Sequence, residues 1–404
     1  MDEHSHFETS LNKIKVLFKY SGMNLENTVT NTYEFLNHRW VYILNHAWTL
    51  AAVTFICIGI SNGQNFIEMT CIAPCVAMTV LAVSKSFFHY INENAVKSLL
   101  ENLIELEQLE RTDFERTKSV QRTEIVATEK QLLNMVINVL YVLNCSMILV
   151  FDMTPLIIIA IKYWTTNKFV RLLPYLDIFV FVPYKFEYWV MAYILQIWAE
   201  CIVLLFIGAA DCLFFTCCTY IRIQFRLLQY DFERLTSSRR ESDGLRDDED
   251  FRETFTNLVK RHQGLIESSS ILEMIYSKST LSNFVLSSLV ICLSAFNVTV
   301  VNDVTIVMTY LIFLVMSLMQ VYFLCFFGDM LMSASEEVGN AVYNCSWYTE
   351  KASTGKDLLF TITRAQKPCE LTAAHFAYVN LKAFMRVLST AWSYFALLQT
   401  IYSR

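Results

Sequence analysis

Glycine and proline are scarce in this chain, with 9 Gly and 5 Pro in 404 residues, and charge is thin as well, at 17% Asp, Glu, Lys and Arg. So few turn-forming residues exclude an all-β protein built from many short strands. No Gly-rich phosphate loop, metal-ligand quartet or nucleophile elbow is present, which argues against an enzyme and predicts no cofactor and no metal site. The adjacent Cys217 and Cys218 have no His at ligand spacing. The net charge of −6 is too small and of the wrong sign for nucleic acid. The N-terminus has no hydrophobic segment of signal-peptide type, so targeting falls to the first apolar span. Most of the 12 Cys lie inside apolar runs rather than at paired loop positions, which predicts free, buried thiols.

What the chain has instead is apolar surface: 54% hydrophobic residues, 30 Phe and 20 Tyr, with a mean hydropathy of +0.38. That composition belongs to a membrane protein. About 20 apolar residues cross the hydrocarbon core, and runs of that length occur at Val41–Ile60, Met69–Ile91, Leu132–Ile161, Val190–Ile221, Leu281–Val301 and Thr305–Phe327, with a seventh, interrupted helix at Leu371–Tyr402. The expected class is an all-α integral membrane protein of seven spans. Its segments are a polar N-terminal stretch (1–40), spans one to four (41–221), a charged linker with helical flanks (222–280), spans five and six joined by a tight turn (281–327), and a polar segment leading into the last helix (328–404). Within the first segment, Leu11, Ile14, Leu17 and Phe18 share a helical face, which either lies on the membrane or packs beneath the first span.

Lys and Arg set the orientation. Outside the spans, 24 lie on the side of the N-terminus and 5 on the other, which puts the N-terminus in the cytosol and the C-terminus outside. Lys85 sits near the end of its span, close enough to snorkel. Glu200 and Asp211 fall within a span, where a carboxylate is costly. Either they are functional, or Glu200 is protonated or hydrogen-bonded and Asp211 meets a basic residue.

In the terminal stretch, helical spacing places Arg386, Thr390, Ser393, Leu397 and Thr400 on one face, with Val387, Trp392, Phe395, Leu398 and Tyr402 elsewhere. A polar stripe with one aliphatic collar fits a water-filled path closed by dewetting at the Leu. Ser and Thr also mediate helix–helix contacts in membranes. Periodicity alone leaves both readings open.

Several strings together resemble the insect odorant receptors: SEEVGNAVYNCSWY followed by LLFTITRAQKPCELTAAHF, the terminal SYFALLQTIY, and SFFHYINENAVKSL after Lys85. The terminal sequence departs from that of the family's co-receptor, so the resemblance is to a ligand-tuned subunit. It implies an odorant-gated, non-selective cation channel that forms a heterotetramer with an olfactory co-receptor in the plasma membrane of sensory neurons. It also implies a gate at Leu397, with Thr400 and Ile401 at the outer mouth and Thr390 and Ser393 along the pore. A pocket for small hydrophobic odorants is implied at Cys75, Met78 and Thr79, at Leu143, Asn144 and Met147, at Tyr193, Ile194 and Ile197, and at Tyr310 and Phe313, with Thr79, Asn144 and Tyr310 as hydrogen-bond partners. A gustatory-type channel that assembles with itself is the nearest alternative. A secondary transporter coupled through Glu200 and Asp211 is a more distant one, since no repeated halves are visible.

Overall fold

The computed structural model describes residues 6–21, most of 40–58, 66–117, 120–174 apart from 168, 186–235, 248–302, 304–345 and 352–403. Among the described residues the chain is all-α apart from one short hairpin. In order come α1 (His6–Ser21), α2 (Phe66–Ile91), α3 (Glu93–Thr117), α4 (Val120–Thr166), α5 (Phe186–Arg234), α6 (Asp248–Val300), α7 (Val304–Asn344) and α8 (Ala352–Ala365). The strands β1 (Thr372–Ala373) and β2 (Ala377–Tyr378) follow, then α9 (Leu381–Tyr402). Residues 40–58 are helical wherever they are described; the remainder of the expected first span lies outside the described residues.

Among the described residues five helices are long and apolar enough to cross a membrane, at Met69–Ile91, Val120–Thr166, Phe186–Arg234, Phe251–Val300 and Ile306–Asn344. Length decides what the rest of each helix does. At 1.5 Å per residue, the 47 residues of α4 extend about 70 Å, more than twice the hydrocarbon thickness of about 30 Å. Polar stretches that the sequence pattern separates from the apolar runs are therefore continuations of the same helices. They project as a second bundle beyond the apolar zone, on the side rich in basic residues.

The middle of α5 is hydrophobic all round and is buried on every face, from Ala199 to Leu228 with few breaks, as expected of the central helix of a bundle. The apolar face of α1, carrying Leu11, Ile14 and Phe18, is buried in the main core. This settles the two readings of that segment in favour of packing beneath the bundle. Beyond the apolar zone, carboxylates clamp the helix extensions. Glu129 of α4 accepts from Arg222 and Arg226 of α5, each at 2.6 Å, and Asp231 of α5 accepts from Arg122 at 3.0 Å and Arg261 at 2.7 Å. Helices α6 and α7 end and begin at Val300 and Val304; Asp303, on which the expected tight turn falls, lies outside the described residues.

Two expectations change. Lys85 does not snorkel: its ammonium is buried against the Asp211 carboxylate, and Gln320 of α7 donates to the other Asp211 oxygen at 2.8 Å. The pull of a charge partner on the central helix outweighs the reach towards water, and Asp211 thereby finds the basic residue foreseen for it. The last helix also begins later than Leu371. Residues 372–378 form the hairpin, pairing Thr372 with Tyr378 and Ala373 with Ala377, and Ala374 and His375 at its tip take positive φ of 48° and 61°. Such a conformation is strained for non-Gly residues, and α6 holds it in place. The Ala374 amide donates to Ser277 Oγ at 3.0 Å, and the Thr372 hydroxyl donates to Glu273 at 2.5 Å.

Candidate functional site

Helix α9 starts from a fixed point. The Asn380 side chain caps it by accepting from the Ala383 amide at 3.0 Å, satisfying one of the otherwise free donors of the first turn. Immediately before it, Val379 lies so close to Gly328 of α7 that a Cβ at position 328 would stand 2.3 Å from the Val379 carbonyl oxygen. Only glycine permits that approach, so the entry of the chain into α9 is set directly by the path of α7.

From there α9 divides into faces. Ala383, Val387 and Ala391 are buried, with Phe395 and Leu398 packed against the same core and Tyr402 edge-on to Phe296 at 5.7 Å. This is the face α9 commits to its own bundle. Arg386, Thr390, Ser393, Leu397 and Thr400 lie away from it and are all exposed, Leu397 at 57% and the adjacent Ile401 at 55%. The hydroxyls of Thr390, Ser393 and Thr400 each donate to the carbonyl four residues back, at 2.8–2.9 Å. Each hydroxyl oxygen keeps acceptor capacity beyond that bond. The polar stripe is thus left uncovered by the chain's own packing, as are Met385, Trp392 and Tyr394 on the same helix.

The expected pocket residues separate into groups. Cys75 and Met78 of α2, Met147 of α4 and Phe313 of α7 meet in one apolar cluster with Phe151, Phe206 and Met316. Tyr310 stacks beside Phe313 at 6.1 Å, and its hydroxyl donates to the Cys71 carbonyl at 2.6 Å. The Thr79 hydroxyl is likewise engaged with the Cys75 carbonyl at 2.9 Å. Tyr193 and Ile197 belong to a neighbouring cluster with Ile159, Leu173 and Trp189. Asn144 faces the central helix, its amide nitrogen 3.7 Å from the position a Cβ on Gly208 would take. Ile194 stands apart, 60% exposed on the outer surface of α5. Leu143 lines an open groove of about 800 Å3 along the outside of α4, with Asn134, Asn138 and Val142. Both are displaced for the same reason: a helical residue one position from an inward-facing neighbour turns about 100° away from it.

Between the two clusters lie Asp152 of α4 and Glu200 of α5, both buried. Their carboxyls face each other, and the Tyr193 hydroxyl donates to the Asp152 main-chain carbonyl. Sequence reasoning marked Glu200 but passed over Phe151 and Gln320. An apolar neighbour inside an apolar run carries no distinguishing signal, and the amide partner of an ion pair is visible only once the helices are assembled.

Comparison with known proteins is consistent with this geometry. The family model described as 7tm odorant receptor matches residues 65–392. Odorant receptor 92a of Drosophila melanogaster is 28% identical over 368 residues, covering 88% of this chain and 85% of its own length. Odorant receptor 67c of the same species is 28% identical over 336 residues, covering 82% and 80%. The fold is similar to that of the olfactory receptor OR5 from Machilis hrabei, solved in complex with eugenol, with a TM-score of 0.79 at 17% identity over 99% of this chain and 100% of that one.

Proposed function

This chain belongs to the 7tm odorant receptor family, and on that premise we propose that it is the ligand-binding subunit of an odorant-gated, non-selective cation channel. The protein crosses the plasma membrane of a sensory neuron seven times, with its N-terminus in the cytosol and its C-terminus outside, and works in a heterotetramer with an olfactory co-receptor. The observation that carries this reading is the uncovered hydroxyl stripe of α9. A monomer in lipid gains nothing from exposing Thr390, Ser393 and Thr400, whereas four such helices around an axis enclose a wet path with a Leu397 collar.

The mechanism follows from the packing. A small apolar odorant enters the cluster of Cys75, Met78, Met147 and Phe313, soft and aromatic side chains suited to weakly polar volatiles. The Asn144 amide and the spare lone pairs of Tyr310 and Thr79 orient it. Phe313 lies on α7, and α7 sets the start of α9 through the contact of Gly328 with Val379. Displacement of α7 is therefore transmitted to the helix that carries Leu397. Binding favours the open arrangement only by the difference in ligand affinity between the open and closed states. The hairpin and the extensions of α5, α6 and α7, with α8, form the cytosolic anchor where subunits meet.

Co-expression with an olfactory co-receptor tests this reading. Cation currents evoked by a panel of volatiles are the expected result. Currents that persist without the co-receptor refute the heterotetramer in favour of self-assembly, and the absence of any evoked current from surface-expressed pairs refutes the channel reading.

A further inference from the structure

Four acidic side chains are fully buried among the described residues: Glu129, Asp152, Glu200 and Asp211. Glu129 is held by two arginines and Asp211 by Lys85. Asp152 and Glu200 meet no Lys or Arg among the described residues. Their carboxyls approach each other closely enough to share a proton, and three oxygens, Glu200 Oε1 and Oε2 and Asp152 Oδ1, accept from no other protein donor. Buried acceptors of this kind are rare in folded proteins, and each one calls for a partner.

The surroundings narrow what that partner is. The acid pair lies at the seam of the two apolar clusters. Phe151 precedes Asp152 and stacks edge-on to Phe313 at 5.9 Å. Tyr193 bonds the Asp152 carbonyl and lies 5.6 Å from Trp189. On the α2 side, Glu200 is close to Cys75. Carboxyl oxygens set among aromatic rings make a site for an organic cation: the carboxyls supply charge and acceptors, and the ring faces attract the same positive group. Three orphaned acceptors match the three donors of a primary ammonium.

We propose that Asp152 and Glu200 bind the ammonium group of a small protonated amine whose apolar body occupies the adjoining cluster of Met147, Phe151 and Phe313. The inference rests on the ligand-binding half of the channel reading and narrows its ligand from any apolar volatile to an amine. An alcohol of the same skeleton offers one donor and no charge, so the site discriminates between the two by charge rather than by shape.

The test uses full-length chain co-expressed with the co-receptor. Membranes are assayed for saturable binding of radiolabelled butylamine, isoamylamine and 2-phenylethylamine, in competition with the corresponding alcohols. The expected result is that at least one amine binds saturably and that its alcohol competes only at tenfold or higher concentration. Glu200→Gln and Asp152→Asn each weaken that binding at least tenfold at equal surface abundance, and Glu200→Asp recovers part of it. Saturable binding of no amine, equal competition by amine and alcohol, or unchanged binding in Glu200→Gln overturns the proposal. Parallel current recordings keep the two levels apart. Amine binding without any evoked current counts against the channel reading and leaves the site intact, whereas currents to neutral volatiles without amine binding overturn the site alone.

Discussion

Replacing Lys85 by Met isolates the contribution of the Lys85–Asp211 ion pair, buried within the apolar bundle. Removing one partner of a buried pair costs about 3–5 kcal/mol, because the other charge is left without compensation. Asp211 would keep the hydrogen bond from Gln320, 2.8 Å from its second oxygen, which offsets about 1 kcal/mol of that loss. The expected cost of Lys85→Met is therefore about 2–4 kcal/mol. Asp211→Asn leaves the Lys85 ammonium, whose exposure is 2%, facing only amides, and is expected to cost about 3–5 kcal/mol. The double variant removes both charges and preserves the amide contact to Gln320, so its cost falls to about 1 kcal/mol. A coupling energy of about 4 kcal/mol or more results, larger than most neighbouring residues show, as expected of a buried charge pair. Graded unfolding of the purified protein in mixed micelles measures the cycle. Single variants that each cost less than about 1 kcal/mol and simply add in the double would refute the account of Lys85 as a charge held by Asp211.

Gly328→Ala drives a methyl group into the Val379 carbonyl and must displace either α7 or the start of α9. The expected outcome is a loss of about 1–3 kcal/mol together with evoked currents reduced several-fold per channel at the surface; unchanged currents would show that this contact does not couple the two helices. Leu397→Ala widens the collar and raises the ligand-independent leak, measured as holding current in co-expressing cells, and an unchanged leak removes Leu397 from the gate. Asn297→Val breaks the reciprocal bonds that join α6 to α2 through Thr70, at 2.8 and 2.9 Å. About 1–3 kcal/mol of stability should go with them, and a thermal melt indistinguishable from the parent protein's would contradict that.

How much of this was legible in the sequence depended on whether the deciding interaction is local. The amphipathic face of α1 is set by spacing along one segment, and the structure buries Leu11, Ile14 and Phe18 where periodicity places them. The partner of Asp211 was foreseen in kind but not in identity: Lys85 lies 126 positions away, and only helix packing brings the two together. The same distance in sequence hid the hairpin at 372–378. Its strained tip depends on bonds from Ser277 and Glu273 of another helix, so nothing local marks Ala374 as a turn residue. The implied pocket was legible to the level of helices rather than faces. Cys75, Met78, Met147 and Phe313 point into one cluster, while Leu143 and Ile194 lie one residue away from inward positions and turn outward.

The central claim is that the exposed stripe of α9 faces water. Single cysteines placed along the helix and treated with a small charged methanethiosulfonate during evoked current test it directly. The parent for these variants carries Ser in place of the exposed Cys57 and Cys201, while Cys71, Cys75, Cys217, Cys218, Cys292, Cys325 and Cys345 are buried and burial pushes the Cys369 thiol up, away from the reactive thiolate. The account predicts rapid current block at Thr390→Cys, Ser393→Cys and Thr400→Cys, with no effect at Val387→Cys or Trp392→Cys. Block that follows Trp392 and spares the hydroxyl positions would contradict it.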